Sequence, residues 1–165
     1  MTTFEHLRHK DPTELARPRD LVVAVPAMQS NVNLSRIVRA AGCCGVTRVI
    51  AAGRGSIDPK ITRDANTFVT VEVHRTLDPQ LIRLREEGYR LVGLEQTTGS
   101  RSIFSYRFPR KAVLVIGHER QGIEPHLLRL LDDVVEIPIY GRPLSHNAAT
   151  AAAIAMYEYC RQGEE

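Results

Sequence analysis

The sequence predicts an α/β fold in which a mostly parallel sheet is flanked by helices. Six short apolar runs recur along the chain, and segments with helical spacing or helix caps separate most of them. The runs are almost continuously apolar instead of alternating with polar residues. That pattern is typical of strands buried on both faces of a parallel sheet.

The predicted elements follow one another in a regular order. Strands are expected at residues 20–27, 47–53, 68–74, 89–96, 111–118 and 133–139. Three segments between them have the apolar spacing of helices, at residues 33–45, 78–88 and 124–133. Their apolar faces consist of Leu34, Ile37, Val38 and Ala41, of Leu81, Ile82 and Leu84, and of Leu127, Leu128 and Leu131.

Helices are also predicted near both ends of the chain. The C-terminal helix is rich in alanine, which lets another backbone approach it closely; these residues are Ala148, Ala149, Ala151, Ala152, Ala153 and Ala155. Ser145, His146 and Asn147 precede this helix, and any of the three can cap it. Residues 1–18 are expected to form a short helical segment around Pro12 to Ala16, with little core of its own.

Length and composition indicate a single globular domain spanning residues 1–165. Hydrophobic residues make up 43% and charged residues 25% of the chain, and no apolar run approaches the ~20 residues that a membrane span requires. The N-terminus lacks the pattern of a secretory signal, so we expect a cytoplasmic protein. Neither the three cysteines nor the scattered histidines have the spacing of a disulfide framework or a metal site.

The positive charge of the chain is concentrated in one region. Arginine accounts for 19 of the 22 basic residues, and arginine suits bidentate contacts with phosphate, although codon usage in a GC-rich genome would favour it equally. Residues 31–63 carry a net charge of +5, whereas residues 111–165 carry −3. This asymmetry predicts a face that meets a polyanion, most plausibly nucleic acid.

Ligands of parallel α/β sheets bind beyond the carboxyl ends of the strands, where three loops carry polar residues. These loops contain MQSNVN after the first strand, GHERQG after the fifth, and IPIYGRPLSHN before the last helix. Gly53 and Gly55 imitate a dinucleotide fingerprint, but the third glycine is replaced by Asp58. Neither a GxxxxGK[ST] phosphate loop nor a GxSxG nucleophile elbow is present.

Together the three loops resemble the three motifs of the SpoU-type, or TrmH-like, RNA 2′-O-ribose methyltransferases of the SPOUT superfamily. NLSRIVRAAGCCGV is similar to the first motif, with Asn33 and Arg39 at the expected spacing. VLVIGHERQGI resembles the second motif, with Gly117, Glu119 and Gly122. IPIYGRPLSHNAATAAAIAMYE resembles the third, and the whole match covers roughly residues 20–162.

The resemblance implies a fold, a cofactor and partners. We expect a deep trefoil knot at the C-terminal end, a homodimer formed around the last helix, and an RNA substrate, either tRNA or rRNA. The expected cofactor is S-adenosylmethionine, held largely by backbone groups of the knot loops. The residues that the resemblance assigns to its pocket are Gln96, Gly117, Ile137, Ile139 and His146.

The resemblance also implies a catalytic set. Its members are Arg39, Asn33, Glu119, Ser145 and Asn147. Because arginine is essentially always protonated, Arg39 is expected to bind an RNA phosphate and align the ribose. Asn33 would hold Arg39 or the ribose, Glu119 would orient the arginine or polar knot groups, and Ser145 and Asn147 would shape the methyl-donor site.

The chain departs from the family pattern at three positions. His146 replaces the usual leucine, Ala149 stands where many members have serine, and Ala40 stands where threonine is common. Two other functions remain open: a non-catalytic RNA-binding module that retains the knotted fold, and a nucleotide-dependent oxidoreductase. The incomplete glycine fingerprint disfavours the oxidoreductase.

Overall fold

A computed structural model describes residues 2–163 as an α/β fold built on a seven-stranded sheet. The strands are β1 (Leu21–Val25), β2 (Arg48–Ala52), β3 (Thr70–His74), β4 (Arg90–Leu94), β5 (Arg101–Ser102), β6 (Ala112–Ile116) and β7 (Asp133–Glu136). Their order across the sheet is β3-β2-β1-β6-β4-β7-β5, and every neighbouring pair is parallel. The predicted α/β class, with a parallel sheet flanked by helices, is thereby confirmed.

The helices form a layer on each face of the sheet. They are α1 (Asn31–Cys43), α2 (Pro59–Thr62), α3 (Ala65–Phe68), α4 (Asp78–Glu86), α5 (Pro125–Leu128) and α6 (Ala148–Gln162). One hydrophobic core joins the sheet to α1 and α6, and a second joins it to α4 and α5. Successive residues of β1 enter the two cores in turn: Leu21, Val23 and Val25 the first, Val22 and Ala24 the second.

Helix α1 (Asn31–Cys43) is capped at its start and buries its apolar face. The Ser30 side chain accepts a hydrogen bond from the Asn33 backbone N–H, which caps the first turn. The four predicted apolar residues of this helix are all buried. The helix packs on α6 through the small side chains of Ala149, Ala152 and Ala155, as expected of an alanine-rich helix in a close helix pair.

The N-terminal helix predicted within residues 1–18 is absent from the part of the segment that the structure describes. Residues 2–20 contain neither helix nor strand, and residues 2–18 are all exposed. A helix of about five residues is unstable unless a buried apolar face stabilises it, and Leu15, the largest apolar side chain between Pro12 and Ala16, is 38% exposed.

Other differences from the predicted elements are small. Helix α5 ends at Leu128 instead of extending to residue 133, because Asp132 bonds the backbone of Leu91 in β4 through both its N–H and its carboxylate. Ile82 of α4 is 44% exposed, outside the core. Strand β5 and helices α2 and α3 were not predicted. Among residues 2–163, none of the helices combines the length and apolar character needed to cross a membrane.

Candidate functional site

The loops that follow β4, β6 and β7 enclose a cavity of about 230 Å³ at the carboxyl edge of the sheet. Its apolar walls include Leu94, Ile116, Ile137 and Ile139, and the first turns of α6 close one side through Ala148 and Ala151. Polar side chains such as Gln96, Glu119 and His146 line the rest of the cavity, and a hollow with both apolar walls and polar groups suits a small ligand that carries a flat ring. Seven of the ten predicted site residues line this cavity: Gln96, Gly117, Glu119, Ile137, Ile139, Ser145 and His146.

Two glycines and one carboxylate form the floor of the cavity. The backbones of His118 and Gly122 exchange two hydrogen bonds of 3.0 Å, which close a tight turn after β6. Glu95 lies beneath this turn, where its carboxylate accepts hydrogen bonds from the Gln96 and Ile123 N–H groups, each at 3.0 Å. A Cβ at Gly122 would lie 2.3 Å from the Glu95 carboxylate, and one at Gly117 would lie 2.9 Å from it. Glycine is therefore required at both positions.

Sequence reasoning missed Glu95. The available signal was its position, because it is an acidic residue directly after an apolar strand, at the edge where ligands bind. In the structure Glu95 ties the end of β4 to the turn between residues 118 and 122. It therefore positions two of the loops that line the cavity.

A chain of polar contacts connects three distant parts of the sequence. Asn33 donates from Nδ2 to Glu119 Oε1 at 3.2 Å, and its Oδ1 accepts a hydrogen bond from Asn147 Nδ2 at 3.1 Å. Asn147 in turn caps α6, because its Oδ1 accepts from the Ala149 and Thr150 N–H groups. Asn147, and not Ser145 or His146, is thus the capping residue. This Glu119–Asn33–Asn147 network fixes the start of α1 and the start of α6 to the cavity wall.

The expected roles of Asn33 and Glu119 are corrected in one respect. Asn33 is buried and bonds Glu119 and Asn147, so it does not hold Arg39. Glu119 likewise contacts no arginine within the described chain; its Oε1 accepts from Asn33 and, at 3.4 Å, from the Ser30 N–H. Both side chains hold loops together because amide and carboxylate groups can bridge several backbone segments at once.

The Glu119 carboxylate is ionised at neutral pH. Burial alone would raise the pKa of Glu119, but hydrogen bonds from its own backbone N–H, from Asn33 and from Ser30 outweigh that effect and hold the pKa below its usual range. Its Oε2 atom is buried and has no hydrogen-bond partner among residues 2–163, with His118 Nε2 at 3.5 Å. A negative charge with an unused acceptor therefore lies on the cavity wall.

The segment from residue 140 to residue 146 covers the cavity loosely. Gln96 Nε2 donates to the Leu144 carbonyl at 3.2 Å and holds this segment near β4. Tyr140 and Leu144 are 89% and 69% exposed. Ser145 and His146 line the cavity but are otherwise exposed. A ligand can therefore reach the cavity past this segment.

Arg39 lies apart from the other predicted residues. It follows Asn33 by six positions in α1, which is a rise of about 9 Å along the helix axis. Its side chain is exposed, its Nη1 atom is 3.5 Å from the Ile61 carbonyl oxygen, and it does not line the cavity. One chain thus assembles the predicted binding pocket without bringing the predicted catalytic arginine into it.

A family model matches most of the chain. The family described as "SpoU rRNA Methylase family" matches residues 20–157, which include every strand, the cavity, the polar network and most of α6.

Curated relatives are tRNA-modifying enzymes by name. The chain is 29% identical to the tRNA (guanosine(18)-2′-O)-methyltransferase of Aquifex aeolicus over 90% of its own length and 72% of that protein. It is 29% identical to the enzyme of the same name from Escherichia coli, over 88% of the chain and 65% of that protein. A mouse tRNA (guanosine(18)-2′-O)-methyltransferase, TARBP1, is 44% identical over 47% of the chain, a match that spans only 5% of the mouse protein.

Solved structures share the same fold. The A. aeolicus TrmH/SpoU tRNA modifying enzyme superposes with a TM-score of 0.83 at 28% identity, covering 90% of this chain and 77% of that one. The SpoU methyltransferase AviRb from Streptomyces viridochromogenes, in complex with the cofactor AdoMet, gives a TM-score of 0.76 at 28% identity, covering 90% of this chain and 62% of that one.

Proposed function

Because the chain belongs to the SpoU rRNA methylase family, we propose that it transfers the methyl group of S-adenosylmethionine to a ribose 2′-hydroxyl of tRNA. The observation that carries this proposal is the cavity at the carboxyl edge of the sheet, tied to the starts of α1 and α6 by the Glu119–Asn33–Asn147 network. The names of the curated relatives support tRNA as the substrate, and the AdoMet-bound relative supports the methyl donor. Residues 1–165 would form a single methyltransferase domain that works in the cytoplasm.

The cavity fits the adenosyl part of S-adenosylmethionine. Ile116, Ile137 and Ile139 offer the apolar surface that a purine needs, and Gly117 lets the turn between residues 118 and 122 pack closely against Glu95 beneath the ligand. We assign the cofactor to Gln96, Gly117, Ile137, Ile139 and His146. His146 would contribute its backbone, so its replacement of the usual leucine leaves the contact in place.

The reaction needs few groups from the protein beyond correct positioning. S-Adenosylmethionine would supply a methyl carbon on a sulfonium; transfer would break the carbon–sulfur bond, form the oxygen–carbon bond, leave S-adenosylhomocysteine and pass the hydroxyl proton to solvent. Alignment of two reactants lowers a barrier by roughly 7 to 11 kcal/mol in the best-oriented cases. Asn147 and Ser145 would shape the donor side of the site, and Glu119 and Asn33 would hold the surrounding loops rigid.

Arg39 would supply the RNA side of the site. A guanidinium that is permanently protonated cannot act as a base at neutral pH, but it binds phosphate with two parallel hydrogen bonds and so fixes the adjacent ribose. Since Arg39 does not line the cavity of its own chain, we propose that it acts on the cavity of a second copy.

A homodimer around α6 would bring the two parts together. Helix α6 packs on α1, which carries Arg39, and it leaves Tyr157 55% exposed. Mixing tests this arrangement: at an S-adenosylmethionine concentration well below the weakened affinity of Gly122→Ala, that chain and an Arg39→Ala chain should each have little activity alone. If Arg39 acts across the dimer, statistical mixing restores about a quarter of the sites. No recovery, or sedimentation as an 18.5 kDa monomer at micromolar concentration, would contradict the proposal.

The C-terminal trefoil knot is also part of the proposal. Its support comes from contacts between the end of α6 and the segment that joins β5 to β6. Tyr159 donates to the Arg110 carbonyl at 2.6 Å, and Gln162 bonds both the Phe108 N–H and the Tyr106 carbonyl at 2.8 Å. A helix that threads a loop must be held closely by it, and these bonds meet that requirement.

The activity is tested by incubating the purified protein with an unmodified tRNA transcript and methyl-labelled S-adenosylmethionine. Digestion to nucleosides and mass spectrometry should reveal a labelled 2′-O-methyl nucleoside, whereas Arg39→Ala should yield none. Calorimetry of S-adenosylmethionine binding distinguishes the enzyme from the alternative function. A protein that binds RNA but not S-adenosylmethionine would be a non-catalytic module.

A further inference from the structure

Five exposed cations lie on α1 and on the segment that joins β2 to α3, two parts of the chain that pack against each other. We call this the basic surface; its members are Arg36, Arg39, Arg54, Lys60 and Arg63. Four of the five are arginines, whose planar guanidinium groups bind phosphate oxygens in pairs. The surface carries most of the positive charge that the sequence concentrates between residues 31 and 63.

Packing holds the two parts of the basic surface together. Ser35 Oγ of α1 accepts a hydrogen bond from the Asp58 N–H at 2.8 Å, next to the start of α2. Arg39 reaches the Ile61 carbonyl of α2. Gly42 also lies directly against Ala65 of α3, because a Cβ at Gly42 would be 2.8 Å from the Ala65 Cβ. The cations are thus mounted on one rigid unit.

The charges of the basic surface are not neutralised within the chain. None of its five side chains forms an ion pair within 4.0 Å among residues 2–163. On the opposite face of the sheet, by contrast, Arg83 pairs with Glu87 and Arg85 with Asp132. Like charges repel one another in the folded state, so an unpaired group of cations is a surface that a polyanion would stabilise.

Arg63 has an unusual backbone for a residue with a side chain. Its φ of 55° and ψ of −136° belong to a region that glycine adopts readily and other residues rarely do. The strain is maintained in part by the hydrogen bond from the Arg63 N–H to the Pro59 carbonyl at 3.0 Å. Phe68, at the end of α3 nearby in sequence, is 71% exposed. Exposed aromatic rings and cations together can bind unpaired nucleotides.

We propose that the basic surface binds the phosphate backbone of the tRNA outside the methyl-transfer cavity, with Arg54, Lys60 and Arg63 as contacts that the predicted catalytic set does not include. The proposal rests on the proposed function for the identity of the RNA. Arg63 retains a strained conformation because its charge serves binding and not folding. Phe68 supplies a stacking surface for a flanking base.

The first test compares two double variants that remove the same charge. Arg54→Gln/Arg63→Gln removes cations from the basic surface, and Arg83→Gln/Arg129→Gln removes exposed arginines from the opposite face. Fluorescence anisotropy with an unmodified tRNA transcript should give at least tenfold weaker binding for the first variant. The slope of log K against log salt should fall by roughly 1.4 to 1.8, since each phosphate contact contributes about 0.7 to 0.9. The control variant should bind as the parent does.

The second test uses the strain at Arg63. Arg63→Gly should raise or preserve the melting temperature, because glycine adopts the observed φ and ψ without strain. The same variant should weaken tRNA binding several-fold while S-adenosylmethionine binding, measured by calorimetry, stays unchanged. Loss of both stability and binding would assign Arg63 a structural role and overturn the proposal.

The outcomes separate this proposal from that of the enzymatic activity. If the parent protein binds the transcript but transfers no methyl group, the proposed activity is refuted. The double variants would still show whether the basic surface binds the tRNA. Equal binding by parent and Arg54→Gln/Arg63→Gln would refute the surface even if methyl transfer is observed. A parent that fails to bind the transcript would refute the surface as well.

Discussion

The start and the middle of helix α1 lie in different environments. At its start, Asn33 is buried and bonded to Glu119 and Asn147, so this end belongs to the wall of the cavity. Six residues later, Arg39 is exposed beside other unpaired cations and touches only the Ile61 carbonyl among hydrogen-bonding groups of the described chain. One helix therefore connects a preformed pocket with a surface that requires a partner.

The motif from Asn33 to Arg39 is continuous in sequence, but its two ends belong to different sites. The polar network forms within one chain, where Asn33 bonds both Glu119 and Asn147 and, among residues 2–163, only Glu119 Oε2 keeps an unused acceptor. The arginine half of the motif bonds only the Ile61 carbonyl within the described residues. In the proposed function, the folded monomer forms the cofactor side of the site and RNA or a second copy completes the other side.

The largest expected effect comes from removing the arginine. Arg39→Ala should lower kcat at least 100-fold, since misalignment of the ribose by about 1 Å is enough for a loss of that size. S-Adenosylmethionine affinity should change little, because Arg39 lies outside the cavity. Single-turnover assays and calorimetry measure the two quantities. Arg36→Ala, one turn earlier, is the control and should mainly raise the KM for tRNA; unchanged turnover in Arg39→Ala would contradict the assigned role.

The floor of the cavity should show the next largest effect. Gly122→Ala places a Cβ 2.3 Å from the Glu95 carboxylate at a position whose φ is +68°, so the turn between residues 118 and 122 must shift. We expect S-adenosylmethionine affinity to fall at least tenfold. Gly141→Ala is a matched control, because a Cβ there meets no atom within 4 Å. If calorimetry finds equal S-adenosylmethionine affinities for the two variants, the turn between residues 118 and 122 does not belong to the binding site.

The polar network is best tested by a double-mutant cycle. Asn147→Ala removes the cap of α6 and one bond to Asn33, and it should lower the free energy of unfolding by about 1 to 2 kcal/mol. Asn33→Ala and the double variant complete the cycle, with an expected coupling of roughly 0.5 to 1.5 kcal/mol. Urea unfolding measures these values. Strict additivity would mean that the 3.1 Å contact contributes nothing to stability.

The smallest expected effect is on stability at low pH, through protonation of Glu119 in the same network. The pKa of Glu119 is lowered on folding from its ordinary value of 4.5, so its ionised form stabilises the folded state above that value. This contribution is lost as the pH falls through the lowered pKa. Compared with Glu119→Gln, the parent should therefore lose stability more steeply below about pH 4.5. Thermal melts from pH 3 to pH 7 test this, and parallel curves would contradict the assigned shift.

The regular elements could be predicted because each depends on a local pattern. Six of the seven strands are apolar runs that are bounded by turn residues, and α1 carries both its cap and its apolar face within 14 residues. Strand β5, with two residues at the edge of the sheet, has no such pattern. The N-terminal helix was wrongly predicted because helical propensity in so short a segment cannot replace tertiary burial.

The residues of the site could be predicted more completely than their positions relative to one another. The family motifs identified seven residues that line the cavity, including Glu119 of the network, and the two other network residues, Asn33 and Asn147. They did not identify Glu95, whose role arises from contacts with Gln96 and Ile123. Spacing also grouped Arg39 with Asn33, although the two occupy different surfaces of the molecule.

By itself the amino-acid sequence determined the alternation of strands and helices, the candidate caps of α6, and the residue types available for chemistry. These properties depend on neighbours within a few positions, through side-chain periodicity and local hydrogen bonds. The tertiary structure alone decided which loops meet, how Glu95 positions the glycine turn, and that Arg39 lies outside the cavity. Such relations depend on the packing of segments distant in sequence, which local patterns do not encode.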